Sequence, residues 1–149
     1  MNIRPATLAD LPQMLANTQK FIDTIPLVKS IPFDPASMTR AFEQMMEDGL
    51  VFVAEVDGVH LGGCGAVKGP LFTNESVQVA SERFRWVEPG ERAGGVGKAL
   101  FGTLVNAAKQ ANCYYLAMIA LHNDALPLVE GMYLKAGMSP LERTYIKVL

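Results

Sequence analysis

A cluster of glycines between a predicted strand and a predicted helix constrains this chain more than any other feature of its sequence. The segment runs Trp86-Val87-Glu88-Pro89-Gly90-Glu91-Arg92-Ala93-Gly94-Gly95-Val96-Gly97-Lys98-Ala99-Leu100. Glycine lets the backbone come close to a ligand, and the free N–H groups and dipole of a helix start favour an anion. The segment therefore predicts a phosphate or pyrophosphate site where the helix begins. A glycine-rich turn that binds no ligand is the alternative.

Two common phosphate-binding motifs do not fit this segment. A P-loop requires glycine where Arg92 stands and a serine or threonine where Ala99 stands. The dinucleotide fingerprint Gly-x-Gly-x-x-Gly fails because Leu100 occupies the position of its third glycine. An unrelated nucleotide-binding domain is therefore disfavoured.

Hydrophobic periodicity predicts a mixed α/β chain without internal repeats or linkers, and we expect a single domain over residues 1–149. The predicted helices run from a cap at Thr7 to Phe21, from Pro35 to a stop at Gly49, from the glycine cluster to Lys109, and from Pro127 to a stop at Gly137. The predicted strands are Ile3–Ala6, Leu50–Val56, Val59–Val67, Val77–Val87, Cys113–Leu121 and Glu142–Leu149. Asp57-Gly58 predicts a hairpin turn, Gly69-Pro70 the end of a strand, and residues 24–34 a loop with an apolar surface.

Composition excludes several classes of function. The net charge of -2 argues against a general nucleic-acid binder, which would carry a basic excess. With 50% hydrophobic and 19% charged residues, no visible secretory signal and no apolar run long enough to span a membrane, a cytoplasmic protein is expected. Two cysteines without a Cys-x-x-Cys pair, and two histidines, predict buried reduced thiols and no metal site.

The glycine cluster resembles the pyrophosphate loop of the GNAT acetyltransferase superfamily. Arg92-Ala93-Gly94-Gly95-Val96-Gly97 matches the pattern Arg/Gln-x-x-Gly-x-Gly/Ala, and Val87-Glu88-Pro89 is similar to the Val-x-Pro that ends the family's fourth strand. Met132-Tyr133-Leu134-Lys135-Ala136-Gly137-Met138 resembles its Leu-Tyr-x-x-x-Gly-Phe segment. Ile3 to Leu11 and Val51 to Gly58 resemble the opening strand and helix and the second strand with its hairpin, so the resemblance covers almost the whole chain in order.

The resemblance implies an α/β (α+β) fold with a central mixed, mostly antiparallel sheet of six to seven strands. Strands 4 and 5 would splay apart, and four helices would flank the sheet. It also implies an acetyl-CoA-dependent N-acetyltransferase whose acceptor, a primary amine, attacks directly in a ternary complex. The alternative is a catalytically inactive CoA-binding or structural interaction protein on the same fold.

The resemblance also assigns residues to roles. The pyrophosphate would bind backbone N–H groups of Arg92, Ala93, Gly94, Gly95, Val96, Gly97 and Lys98, and Trp86, Val87 and Asn123 would contact the pantetheine arm. Tyr133 would be the general acid, or else a packing residue. Glu82 is the first candidate for the base, or else a paired strand glutamate, with Glu88, His60 or a water chain as further candidates. The implied partner is a small-molecule or peptide amine, not nucleic acid or membrane, and a homodimer is left open.

Overall fold

The structure of the chain is a computed structural model that describes residues 1–26 and 28–149. Leu27, which belongs to the loop predicted at 24–34, lies outside the described residues. Residue contacts fall into two units, Met1–Met118 and Ile119–Leu149. The expectation of a single domain stays a prediction.

The first unit contains most of the regular structure. Its strands are β1 (Asn2–Pro5), β2 (Val51–Val56), β3 (Val59–Leu71), β4 (Asn74–Val87) and β5 (Leu116–Ala117), and its helices are α1 (Leu11–Asp23), α2 (Pro35–Glu47) and α3 (Val96–Gln110). Short 3₁₀ turns at Leu8–Asp10 and Pro89–Gly94 precede α1 and α3. The second unit contains α4 (Leu126–Lys135).

The five described strands form one sheet in the order β1-β2-β3-β4-β5. The pairs from β1 to β4 are antiparallel, and β5 pairs with β4 in parallel. The expected mixed, mostly antiparallel sheet and the four α-helices are confirmed. The described sheet has five strands rather than six to seven.

Helices cover both faces of this sheet, so β2 and β3 alternate between two apolar clusters. On one face Leu100 and Leu104 of α3 pack with Cys64 and Ala66 of β3. On the other face Met14 of α1 and the α2 side chains Phe42 and Met45 pack against Val51 and Val53 of β2. A sheet buried on both sides accounts for the nearly continuous apolar sequence of β2.

Local signals in the sequence set several of the predicted boundaries. The Asp34 carboxylate accepts a hydrogen bond from the Ala36 N–H at 3.0 Å and caps α2. Asp57 and Gly58 have φ of 51° and 78°, the left-handed pair that a tight hairpin turn requires. Gly65 faces the Phe84 ring, and a Cβ at this position would lie 2.4 Å from it. A glycine at position 65 therefore allows this close approach of the Phe84 ring.

Two predicted strands are wrong in extent or existence. Of the run Cys113–Leu121 only Leu116–Ala117 is a strand, and Tyr114 is 81% exposed. The expected closing strand Glu142–Leu149 is irregular and exposed within the described structure. Apolar β-forming sequence becomes a strand only where a neighbour supplies backbone partners. In the described sheet, Ala80 and Ser81 of β4 supply these backbone partners to β5.

The β3–β4 hairpin is longer than predicted, because Gly69-Pro70 does not end β3. Pro70 pairs with Gln78, and the two strands continue to the pair Leu71 and Asn74. The pairing of β2 with β3 stops at Gly65, so Pro70 lies on a part of β3 that has β4 alone as its partner in the described sheet. A proline, which has no N–H to donate, is tolerated at such an edge.

A polar cluster ties β1, β2 and β3 to the start of α1. Arg4 binds Asp10 with two bonds of 2.8 and 2.9 Å and reaches Glu55 at 2.8 Å. Asp10 is buried, and it also accepts from the Thr7 N–H at 2.7 Å and lies 3.0 Å from His60 Nε2. The Arg4 guanidinium holds the pKa of the Asp10 carboxyl well below its ordinary value.

We predict that Asp10→Asn destabilises the fold by about 3 kcal/mol at neutral pH, because it leaves the Arg4 charge without its main partner. A depressed folded-state pKa contributes stability above the unfolded value of about 3.9, and this contribution is lost as pH falls below it. The wild-type free energy of unfolding should therefore decrease from about pH 5 downward more steeply than that of Asp10→Asn. Urea titrations between pH 3 and 7 measure both effects. Equal pH slopes in the two proteins would contradict the assignment.

Candidate active site

The glycine segment forms the N-terminus of α3, as the sequence predicts. Gly95 has φ of 79° and precedes the first helical residue, Val96. The first bond of the helix runs from the Ala99 N–H to the Gly95 carbonyl at 3.0 Å, so the N–H groups of the first turn have no partner within the helix. Residues 92–95 are exposed, whereas Val96 is buried and anchors the helix start. The first turn of α3, which begins at Val96, thus presents backbone donors without a partner in the helix, whereas Pro89–Gly94 before it form a 3₁₀ turn.

The loop lies against the end of β4. A Cβ at Gly97 would lie 3.6 Å from Val87 Cγ2, and Arg92 Nε donates to the Val87 carbonyl at 3.4 Å. The start of α3 is therefore next to the last residue of the strand. An anion bound at the loop would have β4 beside it.

One edge of β4 is paired with a neighbouring strand along only part of its length. The parallel register with β5 covers Ala80 and Ser81, and from Glu82 to Val87 the described part of the chain pairs β4 only with β3. The Glu88 N–H donates to the Leu61 carbonyl of β3 at 2.9 Å. Since hydrogen bonds alternate along an antiparallel pair, the N–H groups of Arg85 and Val87 point away from β3, toward this open edge.

A β-bulge sets the surroundings of Glu82. The register with β3 shifts between Gly65 and Ala66, so Arg83 is the extra residue and Glu82 and Arg85 lie on the same face. Without the bulge, residues three apart would lie on opposite faces. The Glu82 carboxylate is 3% exposed, with Oε1 3.6 Å from Arg85 Nε. The Arg85 guanidinium lies beside Glu82 because of the bulge. The alternation of side chains along the sequence does not predict this arrangement.

The side chain of Trp86 lies on the face opposite to Glu82, packed against α1. Its ring makes an edge-to-face contact with Phe21, with centroids 6.1 Å apart, and the Arg92 guanidinium lies 5.6 Å from its centroid. Lys20, next to Phe21, binds Glu88 at 3.0 Å. The predicted contact of Trp86 with a pantetheine arm thus concerns its backbone. Its side chain joins the end of α1 to the glycine loop.

Two predicted site residues belong to the second unit. Tyr133 of α4 is buried, and its hydroxyl donates to the Ile119 carbonyl at 2.9 Å. Asn123 is exposed, and its side-chain oxygen accepts from the Ala125 N–H at 3.0 Å, which caps the turn before α4. The predicted roles of both residues remain predictions.

The other candidate groups take part in structural contacts. His60 binds the buried Asp10, and Glu88 binds Lys20.

Both cysteines are free. Burial raises the pKa of the Cys64 thiol to about 12, and burial also raises the pKa of the Cys113 thiol. Within residues 1–26 and 28–149, no group of three or more His, Cys, Asp or Glu side chains is placed to hold a metal ion. No helix among these residues is long and apolar enough to cross a membrane.

The structure thus brings the glycine loop, the open edge of β4 and Glu82 together within the first unit. Sequence reasoning missed Arg85 beside Glu82 and Phe21 beside Trp86, because neither contact follows from a local pattern.

Comparison with known proteins points to one family. A model of the acetyltransferase (GNAT) family matches residues 19–138. A proposed acetyltransferase of Agrobacterium tumefaciens is similar over 100% of both chains, with a TM-score of 0.74 and 20% identity. A predicted acetyltransferase of Clostridium acetobutylicum, solved with acetyl-CoA, is similar over 99% of this chain and 95% of its own, with a TM-score of 0.72 and 20% identity. An aminoglycoside 6′-N-acetyltransferase of Acinetobacter haemolyticus is similar over 100% and 98%, with a TM-score of 0.69 and 21% identity. At these identities the three structures establish a shared fold.

Proposed function

The chain belongs to the acetyltransferase (GNAT) family, whose members use acetyl-CoA, and we propose that it transfers the acetyl group to a primary amine by direct attack in a ternary complex. The observation that carries this proposal is the glycine loop at the start of α3, held beside the open edge of β4. The loop offers donors for a pyrophosphate, and the strand edge offers donors for a thioester. These two groups lie at opposite ends of the pantetheine arm of acetyl-CoA.

Binding of acetyl-CoA is assigned to the loop from Arg92 to Lys98. Backbone N–H groups at a helix N-terminus favour an anion through both hydrogen bonds and the helix dipole. Arg92 and Lys98 are exposed and add two positive charges at this point. The pantetheine arm would then follow the edge of β4 at Val87.

Carbonyl polarisation is assigned to the open edge of β4. The amine nitrogen attacks the thioester carbonyl carbon, and negative charge develops on the carbonyl oxygen as the C–N bond forms. The outward N–H group of Val87 is suited to stabilise that oxygen, as a donor on a strand that β3 holds in place before the reaction begins. The C–S bond then breaks, and the thiolate of CoA leaves.

Glu82 is assigned as the group that removes a proton from the amine, directly or through water. It is the first residue of β4 beyond the pairing with β5, so its carboxylate belongs to the part of the strand with the open edge. It is buried on the α3 face, with Arg85 as the neighbouring opposite charge. A carboxylate in that position matches the need for a base near the acetyl group.

Tyr133 is assigned as the acid that protonates the thiolate of CoA. This assignment rests on the family resemblance of the segment from Met132 to Met138. A tyrosine hydroxyl is ordinarily protonated at neutral pH and can donate its proton. In the structure this hydroxyl donates to the Ile119 carbonyl, so catalysis would require it to exchange that acceptor for the sulfur atom.

The acceptor is proposed to be a small-molecule or peptide amine in the cytoplasm. The aminoglycoside acetyltransferase with the same fold supports an amine acceptor in general terms. A pI of about 5.7 supports neither nucleic acid nor an anionic membrane surface as the partner.

We predict that Gly95→Ala abolishes most of the stabilisation that acetyl-CoA confers. Wild-type protein at a ligand concentration of 100 Kd should gain about 2.7 kcal/mol. Alanine at φ of 79° is strained by about 1–2 kcal/mol, which would displace the loop N–H groups. Gly58→Ala is the matched control, because φ is 78° there and the residue lies in the β2–β3 turn. Thermal denaturation should show similar ligand-free losses in both variants, but a lost acetyl-CoA shift only in Gly95→Ala. A wild-type protein without any shift would overturn the proposed function.

We predict that Glu82→Gln lowers kcat/KM by about 10²-fold. The loss should be largest at low pH, where most of the amine is protonated and must lose a proton to react. Glu75→Gln, an exposed substitution on the same strand, is the control and should behave as wild type. The measurement is a pH–rate profile with thiol detection of released CoA. An unchanged profile in Glu82→Gln would remove this residue from the mechanism.

We predict that Tyr133→Phe lowers kcat by about 10²- to 10⁴-fold while the affinity for acetyl-CoA changes little. Phenylalanine retains the buried ring but removes the proton that the thiolate would take. The variant also loses the bond to the Ile119 carbonyl, so its melting temperature must be measured alongside turnover. A stable variant with near wild-type turnover would show that Tyr133 is a packing residue.

A further inference from the structure

The guanidinium of Arg92 carries a positive charge that no carboxylate neutralises in the part of the chain that the structure describes. The residue is exposed, and its Nε donates a long hydrogen bond to the Val87 carbonyl at 3.4 Å. Its two terminal NH₂ groups have no acceptor among residues 1–26 and 28–149. A guanidinium in this state retains most of its donors for a ligand.

Val87 places this guanidinium next to the first turn of α3. Its carbonyl accepts from Arg92 Nε, and a Cβ at Gly97 would lie 3.6 Å from Val87 Cγ2. The side chain of Arg92 and the helix start are therefore neighbours of the same residue. An anion bound at the helix start would have the guanidinium beside it.

The ring of Trp86 supports the guanidinium in this place. Arg92 Cζ lies 5.6 Å from the ring centroid, inside the range of about 6 Å for a cation–π contact. The ring is itself fixed, because the residue is 7% exposed and Phe21 of α1 packs edge-to-face against it at 6.1 Å. A cation held on an immobile ring has less rotamer freedom to lose when it binds a ligand.

The ion pair between Lys20 and Glu88 removes a competing partner. Glu88 lies four residues before Arg92 in the sequence, and its carboxylate binds Lys20 of α1 at 3.0 Å. The negative charge of Glu88 is thereby balanced by a cation other than Arg92. The charge of the guanidinium stays available for an anionic ligand.

We propose that Trp86 is a positioning residue for the cofactor: its ring holds the Arg92 guanidinium where the terminal NH₂ groups meet the pyrophosphate of acetyl-CoA. The inference rests on the proposed binding of acetyl-CoA at the loop, and it gives a role to a side chain that acts through Arg92. The guanidinium supplies a planar, bidentate donor to one phosphate. The backbone N–H groups of the first turn of α3 bind the remaining oxygens.

A double-mutant cycle on the affinity for acetyl-CoA tests this role. Calorimetric titration gives Kd for the wild type, Trp86→Leu, Arg92→Ala and the double variant. Trp86→Leu should raise Kd by about 3- to 10-fold, the cost of ordering one long side chain on binding. In the Arg92→Ala background the same substitution should change Kd by less than about twofold. An equal effect of Trp86→Leu in both backgrounds would overturn the proposal.

Lys98 provides the matched control. It is the other exposed cation of the loop, and it has no contact with the Trp86 ring in the described structure. Trp86→Leu should therefore raise Kd by the same factor in Lys98→Ala as in the wild type. A loss of the effect in Lys98→Ala as well would show that Trp86 supports the loop as a whole and does not act through Arg92.

Arg92→Lys tests the same role without a change in the core. Position 92 is exposed, and lysine keeps the charge but lacks the planar fork that the ring supports. Kd for acetyl-CoA should rise nearly as far as in Arg92→Ala. An unchanged Kd in Arg92→Lys would contradict the proposal, because charge alone would then be sufficient.

Binding and turnover separate this proposal from the proposed function. A protein that binds acetyl-CoA with a coupled Trp86 and Arg92 cycle, but acetylates no amine, would refute the acetylation and retain the role of Trp86. A protein that acetylates amines with an additive cycle would retain the function and refute the role. Absence of acetyl-CoA binding by the wild type would refute both.

Discussion

The unequal pairing of β4 is the constraint on which the rest of the site depends. One edge of the strand is bonded to β3 along almost its whole length, whereas the pairing with β5 covers Ala80 and Ser81. A strand held firmly on one side can present outward N–H groups on the other without losing its own geometry. The outward N–H of Val87 therefore belongs to a strand held by β3, and a donor fixed before the reaction is what stabilisation of a developing oxyanion requires.

One β-bulge determines which side chains of β4 lie on each face of the sheet. The bulge at Arg83 brings Glu82 and Arg85 to the α3 side, and Trp86 remains on the α1 side. The proposed base and the ring of Trp86 consequently lie on opposite faces of the same strand. Strict alternation of side chains would not place Glu82 and Arg85 on one face.

The side chain of Trp86 connects the ligand-binding parts of the first unit. It contacts Phe21 at the end of α1 and the Arg92 guanidinium on the glycine loop. The ion pair between Lys20 and Glu88 bridges the same two elements. The end of α1 is thus anchored to the segment that leads into the loop.

The sequence by itself determined the features that depend on local chemistry. The cap at Asp34, the turn at Asp57-Gly58 and the helix start at Gly95 follow from the conformations available to those residues, and the family motif identified the loop in the same way. Only the tertiary structure decided which apolar segments became strands. Cys113–Leu121 and Glu142–Leu149 have β-forming sequences, but a strand exists only where another supplies hydrogen-bond partners. The same reason applies to the site: the pairing of Glu82 with Arg85 and the unpartnered indole of Trp86 arise from sheet register and burial, which no local pattern contains.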